Sequence, residues 1–207
     1  MKHSVLATIL CAALALAGQA QTLDLSGKWR FAVDRSDQGV TGRWFETRLT
    51  DEVSLPGSML TNGKGDPVNL QTPWVGSIND RSFFTSDFYA PYRTDDNFKI
   101  PTWLQPDLYY RGVAWYQRDV EIPASWSGKT VELQLERCHW ETRVWVDGRE
   151  AGMRNALGAP HNYDLTRYLT PGRHTLSIRV DNSIRTIDPG ENSHSVSDHT
   201  QGNWNGM

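Results

Sequence analysis

The residues best suited to chemistry lie at the end of the chain, in residues 192–207. Asparagine, serine, aspartate, threonine, glutamine and two histidine side chains surround a single tryptophan, Trp204. A sugar needs such closely spaced hydrogen-bonding groups for its array of hydroxyls. The segment therefore predicts a site for a hydroxyl-rich ligand. His194 and His199 could suggest a metal, but the spacing places no third ligand. We therefore predict no metal and no cofactor.

The segments upstream predict the strands that must position this site. Residues 115–122 form one candidate strand, and residues 131–136 alternate apolar with polar side chains. Residues 142–146 precede Asp147-Gly148, a pair typical of a two-residue hairpin turn, and residues 174–180 alternate again. Repeated period-two strands with short connections predict an antiparallel sandwich. We expect eight side chains to share its core: Val131, Leu133, Leu135, Val144, Val146, Leu176, Ile178 and Val180.

Two earlier segments differ in character. Residues 25–34 predict the first strand, with Trp29, Phe31 and Val33 on one buried face. Residues 57–107 are rich in glycine, proline and aromatic side chains, and no helical or strand period persists. We expect an ordered insertion that is either a structural cover or a wall of the ligand pocket.

Composition sets limits on the class of protein. The chain has 207 residues, of which 38% are hydrophobic and 22% charged, so one domain with a real core is expected. Its net charge of −3 offers no basic surplus, which argues against a nucleic-acid partner. The nine tryptophans are expected mainly in the core, with some free to stack on sugar rings.

Residues 1–20 have the pattern of a signal peptide. Lys2 precedes an apolar run that is too short to anchor in a bilayer, and small residues follow. We therefore expect a periplasmic or secreted protein with no membrane insertion after cleavage. Cleavage removes Cys11 and leaves Cys138 alone, which excludes an internal disulfide and a thiolate zinc site. Cys138 is expected to be a small buried hydrophobe.

Four motifs follow one another in a fixed order. They are Tyr116-Gln117-Arg118 with Ile122-Pro123-Ala124-Ser125-Trp126, Val144-Trp145-Val146-Asp147-Gly148-Arg149, Pro160-His161-Asn162-Tyr163-Asp164-Leu165-Thr166, and Leu176-Ser177-Ile178-Arg179-Val180-Asp181-Asn182. This order resembles the N-terminal sugar-binding jelly-roll domain of glycoside hydrolase family 2, which includes β-galactosidases, β-glucuronidases and β-mannosidases. The resemblance covers residues 25–207, and residues 56–106 match poorly.

The resemblance implies a fold and a place in a longer enzyme. The fold would be an all-β, galactose-binding-domain-like jelly-roll β-sandwich over residues 21–190, with the irregular aromatic-rich insertion 57–107. The polar segment 191–207 would lead into an immunoglobulin-like domain and then a (β/α)₈ barrel that holds two catalytic glutamates. This sequence contains neither, so we expect the N-terminal part of an exo-acting retaining β-glycosidase, inactive by itself. Its partners would be a carbohydrate substrate and its own C-terminal domains.

The resemblance also implies sugar contacts from two segments, and none of these residues is catalytic. Just before the strand at 115–122, Arg111 is the nearest polar candidate, and its other interpretation is a surface or interdomain ion pair. From the terminal segment we expect five residues: Asp198, His199, Asn203, Trp204 and Asn205. They should lie exposed at one rim of the domain, on the same side as Arg111.

Two other classes of function stay open at this stage. A stand-alone carbohydrate-binding module would use the same fold, because fold does not settle function. Such a module would bind sugar without further domains. A structural interaction domain would have no sugar site, and it would bury Trp204 and the aromatic side chains of the insertion.

Overall fold

The computed structural model describes residues 20–74, 77, 80–100, 106–156, 158–183 and 204–207. Antiparallel strands dominate these residues, with one α-helical turn, α1 (Ser82–Thr85), and short 3-10 segments at Trp44–Glu46, Leu60–Asn62, Asp87–Tyr92 and Ala124–Trp126. The strands are β1 (Gly27–Asp34), β2 (Asp51–Leu55), β3 (Asp66–Pro67), β4 (Arg93–Thr94), β5 (Asn97–Phe98), β6 (Leu108–Tyr109), β7 (Val113–Ile122), β8 (Glu132–Leu135), β9 (Glu141–Val146), β10 (Arg149–Asn155), β11 (His161–Asp164) and β12 (Gly172–Asp181). No helix within these ranges is long and apolar enough to cross a membrane.

A six-stranded antiparallel sheet forms the larger layer, in the order β10-β9-β12-β7-β1-β2. The long strands β7 and β12 lie at its centre and pair from Gly172 opposite Ile122 to Asp181 opposite Val113. The smaller layer is the pair β8 and β11. The prediction of an all-β jelly-roll sandwich is confirmed, and the alternating segments at 115–122, 131–136, 142–146 and 174–180 all contain strands.

The main core fills the space between the two layers. Alternate side chains of β1, β2, β8, β9 and β11 point inward, because a strand directs successive side chains to opposite faces. Trp29 and Phe31 enter it from β1, and Leu133 faces them from the smaller sheet. All eight predicted core side chains are buried there, with Ile178 and Val180 fully excluded from solvent. Cys138 is buried in the same core, as expected.

A buried polar bridge joins the two layers. The Thr142 hydroxyl on β9 lies 2.6 Å from His161 Nδ1 and 2.6 Å from the Tyr163 hydroxyl, both on β11. His161 Nε2 lies 2.9 Å from the carbonyl oxygen of Ala156. Every polar atom of the bridge therefore has a partner, which is the condition under which buried polar groups are tolerated.

The outer face of the six-stranded sheet carries a second, aromatic cluster. Trp115 and Trp145 lie side by side there, with ring centroids 5.0 Å apart, and both are buried. Residues 35–50 fold over them, so that Phe45 stacks on Trp145 at 5.1 Å. The Asp34 carboxylate fixes this cover by accepting hydrogen bonds from Trp115 Nε1 at 3.0 Å and from Gly39 N at 2.7 Å. Trp44 and Phe45 anchor this segment by packing against the two tryptophans.

The insertion 57–107 has a small apolar cluster of its own. Trp74, Phe83, Ile100 and Tyr109 are buried together, and α1 supplies Phe83. The regular elements in it are two-residue strands and single turns, which explains why no period is visible in the sequence. Phe88 projects into solvent with 74% of its surface exposed, so the insertion does not bury all of its aromatic rings.

Candidate functional site

A polar cleft opens where the insertion meets the start of β7. It has a volume of about 320 Å³, and both the insertion and the sandwich contribute to it. Pairing of β3 with β6 sets Asp66 opposite Tyr109 and so forms one wall. The described residues that line the cleft are Arg35, Asp66, Pro67, Asn69, Gln71, Thr72, Pro73, Tyr109, Tyr110 and Arg111.

An ion pair and an aromatic ring form the floor of this cleft. Arg35 donates two hydrogen bonds of 2.7 Å to the two carboxylate oxygens of Asp66. Its guanidinium carbon lies 5.6 Å from the centre of the Tyr110 ring. The hydrogen bonds to Asp66 raise the pKa of Arg35 above its ordinary value. The Tyr110 hydroxyl donates to the Val113 carbonyl at 2.7 Å, and burial raises its pKa, so it stays protonated.

Arg111 stands at the mouth of the cleft with its side chain exposed. Within the described part of the chain, no carboxylate lies within ion-pair distance of its guanidinium. Its planar donors are therefore free to bind carboxylate or hydroxyl oxygens of a ligand. The alternative interpretation of Arg111, a surface ion pair, has no carboxylate partner among the described residues, and an interdomain ion pair is not tested.

Two buried asparagines hold the backbone on both sides of Arg111. Asn182 accepts a hydrogen bond of 2.8 Å from Gly112 N and donates one of 2.9 Å to the Tyr110 carbonyl. Asn205 donates to the Gly112 carbonyl at 3.0 Å and to the Val180 carbonyl at 3.1 Å. Because both clamps act on residues 110–112, the position of Arg111 depends on the end of β12 and on the terminal segment together.

The terminal residues 204–207 return to this same end of the sandwich. The Trp204 ring lies 5.1 Å from the ring of His139, and Trp204 O is 2.9 Å from His139 Nδ1. Burial lowers the pKa of His139, so the neutral imidazole is favoured near neutral pH. Met207 exchanges backbone hydrogen bonds of 2.9 and 3.2 Å with Gly57. The terminal segment is thereby tied to both the sandwich and the start of the insertion.

The structure describes three of the six predicted site residues: Arg111, Trp204 and Asn205. Trp204 is half-buried against His139, and Arg111 lines the cleft. Asp198, His199 and Asn203 lie outside the described residues and remain predictions, as does the signal peptide. His194 lies outside the described residues too, so the prediction that it and His199 bind no metal is not tested. The expectation that Asn205 is exposed at the rim is wrong. Its side chain is 1% exposed because Tyr116 donates a 2.8 Å hydrogen bond to it inside the core.

Three residues of this region were missed by sequence reasoning: His139, Trp140 and Asn182. Trp140 Nε1 donates a hydrogen bond of 3.2 Å to the Ser183 carbonyl, so it meets the chain where β12 ends. A signal for the first two was present. A short connection between two apolar strands normally carries turn residues, whereas this one carries an imidazole and an indole. Asn182 was visible only as part of a motif.

The polar side chains of the cleft are suited to binding oxygen atoms of a ligand. Among the described residues that line the cleft, Asp66 is the one carboxylate, and Arg35 occupies both of its oxygens. The described residues also contain no group of three histidine, cysteine or acidic side chains that could hold a metal ion. The guanidinium of Arg111 and the side-chain amides of Asn69 and Gln71 form a set suited to hydroxyl and carboxylate oxygens.

The chain is similar in sequence to a family of sugar-binding domains and to known glycosidases. Residues 78–205 match the family model described as glycosyl hydrolases family 2, sugar binding domain. The matched range begins inside the insertion. A β-glucuronidase of Paenibacillus borealis is 29% identical over 171 residues, which cover 81% of this chain and 22% of that protein. A β-galactosidase of an Arthrobacter species is 26% identical over 80% of this chain and 16% of its own length.

Solved structures agree with the fold. A β-glucuronidase from an uncultured Clostridium species has a TM-score of 0.51 at 20% identity, over 78% of this chain and 22% of that one. A β-glucuronidase of Lactobacillus rhamnosus has a TM-score of 0.52 at 17% identity and the same coverage of this chain. The chain thus spans about a fifth of the length of these relatives.

Proposed function

Because the chain belongs to glycosyl hydrolase family 2, matched over its sugar-binding domain, we propose that it forms one wall of the sugar pocket of a β-glycosidase. The substrate class is a β-linked hexoside or hexuronide that is hydrolysed from its end. Relatives that carry the matching domain are named β-glucuronidase and β-galactosidase and are several times longer. In this proposal the bond cleavage belongs to domains outside this sequence.

One observation carries the proposal. Arg111 lacks a carboxylate partner among the described residues, lines a polar cleft, and follows and precedes backbone groups that two buried asparagines hold. An arginine that served only solubility would not need its neighbouring backbone to be fixed by hydrogen bonds from Asn182 and Asn205, which lie far away in sequence. A planar guanidinium held in this way can bind two oxygens of a sugar at once.

The test is a titration of the chain followed by NMR. Methyl β-glucuronide, β-galactoside and β-mannoside would be added while the amide signals of residues 109–112 are observed. We expect saturable shifts with a dissociation constant of about millimolar, since one wall supplies only part of the binding free energy. Arg111→Ala should abolish the shifts without changing the melting temperature.

Arg48→Ala is the matched control, because Arg48 is also exposed but lies on the outer face of the six-stranded sheet. Its titration should be unchanged. Shifts that map to another face, or that survive Arg111→Ala, would contradict the proposal. Micromolar binding by the chain alone would instead favour a stand-alone carbohydrate-binding module.

We also propose that the chain is exported. Lys2, the apolar run after it and the small residues near position 20 support cleavage of a leader and a periplasmic or extracellular location. N-terminal sequencing of the protein recovered from the periplasm or the medium would test this proposal. A start at residue 1 in the cytoplasmic fraction would count against it.

A further inference from the structure

A cluster of exposed arginines lies on the opposite flank of the sandwich from the aromatic cover. Arg149 and Arg154 stand on β10, and Arg167 follows β11. Arg154 and Arg167 border a cleft of about 420 Å³ together with Tyr163. We call these three residues the arginine patch. Within the described part of the chain, none of the three forms an ion pair with a carboxylate.

A bulge in β10 brings two of these arginines to one face. Residues five apart on a regular strand point to opposite sides of the sheet. The register of β10 shifts between Glu150 and Gly152, so Arg149 lies opposite Val146 and Arg154 lies opposite Thr142. Both partners point into the sandwich, and the two arginines therefore share the side that faces β11. Bulges often serve to redirect side chains in this way.

Two acidic residues near the arginine patch, Glu150 and Asp164, form contacts of their own. Glu150 lies on the other face of β10 and accepts hydrogen bonds of 2.8 and 2.6 Å from Arg143. Asp164 borders the cleft, accepts a hydrogen bond of 2.9 Å from Thr166 N, and offsets part of the charge of Arg167. Three guanidinium groups against this one bordering carboxylate leave the arginine patch positive, although the chain as a whole carries a net charge of −3.

Two tyrosines hold the guanidinium groups in place. The guanidinium carbon of Arg154 lies 5.1 Å from the centre of the Tyr163 ring. Arg167 and Arg149 both lie over Tyr168, at 4.8 and 5.7 Å. Tyr168 is itself fixed by a hydrogen bond of 2.8 Å to the Glu150 carbonyl. The aromatic faces are thus covered by cations, and they are not open for the stacking of a neutral sugar.

Arg154 is the most restrained of the three. Its guanidinium donates to the Asn162 carbonyl at 3.1 Å and to the Met153 carbonyl at 2.9 Å. A guanidinium has five N–H donors, so some remain for a ligand. The backbones of Arg149 and Arg154 are roughly 15 Å apart along β10. A polymer with repeated charges can reach both ends of the arginine patch at once.

We propose that the arginine patch binds a polysaccharide that carries carboxylate or sulfate groups along its chain. The polymer would lie along β10 and place successive anions on the guanidinium groups. Carbohydrate is the favoured class because the chain belongs to a carbohydrate-hydrolysing family. The inference rests on that membership and not on the cleft at Arg111, so either proposal can fail while the other stands.

The test measures the affinity of the 207-residue chain for four polymers by calorimetry at low and high salt. Polygalacturonate and dextran sulfate present carboxylate and sulfate groups, dextran is neutral, and poly-L-glutamate is an acidic polypeptide. We expect binding to at least one anionic polysaccharide, weakened by salt, and no binding to dextran. Arg154→Gln/Arg167→Gln should weaken it at least about fivefold, as the loss of two exposed ion pairs implies.

The matched control is Lys28→Gln/Arg48→Gln, which removes the same charge from exposed side chains elsewhere. Its affinity should stay within about twofold of the parent. If the patch variant has a lower melting temperature, Arg149→Gln replaces it, since that side chain is exposed at the start of β10. Equal losses in patch and control variants would overturn the proposal. Tighter binding of poly-L-glutamate than of either polysaccharide would assign the patch to an acidic protein and also overturn it.

Discussion

The asparagines around Gly112 act through the backbone and not through a ligand. Asn205 satisfies the Tyr116 hydroxyl and two carbonyl groups inside the protein, which leaves its amide no capacity for a sugar. A residue that sequence reasoning assigned to the ligand is thus a positioning residue for the arginine next to it. Polar residue type alone cannot separate these roles, because a buried asparagine and a sugar-binding asparagine use the same atoms.

Replacing Asn205 tests this distinction. Asn205→Ala should lower the free energy of unfolding by about 2–3 kcal/mol, because the Tyr116 hydroxyl and two carbonyls lose a partner in the core. Urea denaturation measures the change. Asn162→Ala is the control, since Asn162 is exposed and its side chain makes no contact of this kind. Equal midpoints for the two variants would contradict the structural role.

Cys138 makes stability depend on alkaline pH. Burial raises the pKa of its thiol to about 12, so the folded protein keeps a proton that the unfolded chain releases above about pH 8.5. Deprotonation therefore lowers the free energy of the unfolded state relative to that of the folded state as pH rises. The free energy of unfolding decreases between about pH 9 and 12. Unfolding free energies at pH 7 and pH 10 should differ by about 1–2 kcal/mol more in the parent than in Cys138→Ala. An unchanged difference would mean that Cys138 is accessible to solvent in the folded state.

The elements that the sequence predicted best are those whose pattern is local. Alternation located β8 and β12, and the Asp147-Gly148 turn signal marked the end of β9. β10 was not predicted, since its bulge at Gly152 interrupts the alternation. The docking of residues 204–207 could not be predicted either. It depends on contacts such as that between Asn205 and Tyr116, which are far apart in sequence.

The centre of the large sheet gives the strongest test of the predicted register. Ile178→Ala should reduce the free energy of unfolding by about 2–5 kcal/mol, because Ile178 is fully buried and its truncation leaves a cavity. Chemical denaturation would show the loss as a lower midpoint. Lys129→Ala, at an exposed position beside the core, should change it by less than about 0.5 kcal/mol. A small effect at Ile178 would mean that β12 lies in another register.

Gly206 fixes the approach of the terminal segment to the insertion. Its φ of 156° and the Gly57 carbonyl oxygen beside it leave no room for a Cβ atom. Gly206→Ala should therefore displace residues 204–207 from the insertion. The backbone amides of Gly57 and Met59, which donate hydrogen bonds to the carbonyls of Met207 and Asn205, would then be exposed to solvent. Hydrogen exchange at these two amides is expected to accelerate, while amides in β12 stay protected. Gly158→Ala, where nothing lies within 4 Å of an added Cβ, is the control.

At the scale of the whole molecule, the cleft carries one carboxylate among its described residues. Retaining glycosidases need two carboxyl groups about 5 Å apart across the sugar. The carboxylate of the cleft is that of Asp66, and it is held by Arg35. The described lining of the cleft therefore does not supply an acid and a nucleophile together.

The purified chain should show no turnover of aryl β-glucuronides, β-galactosides or β-mannosides. The physical reason is that the described lining of the cleft contains no carboxylate pair, which acid catalysis and a glycosyl intermediate both require. Release of nitrophenol, followed by absorbance, measures the rate. Activity that co-purifies with the chain and disappears with Asp66→Asn would show that the cleft is catalytic after all.

The paired tryptophans of the outer face should give the protein a characteristic circular dichroism signal. Trp115 and Trp145 are fixed 5.0 Å apart at an interplanar angle of 34°, so their indole transitions couple and produce a circular dichroism signal that isolated rings lack. The signal depends on residues 35–50 holding the rings in place, and it does not involve the core between the layers. Loosening of this one surface can therefore be followed separately from the unfolding of the sandwich.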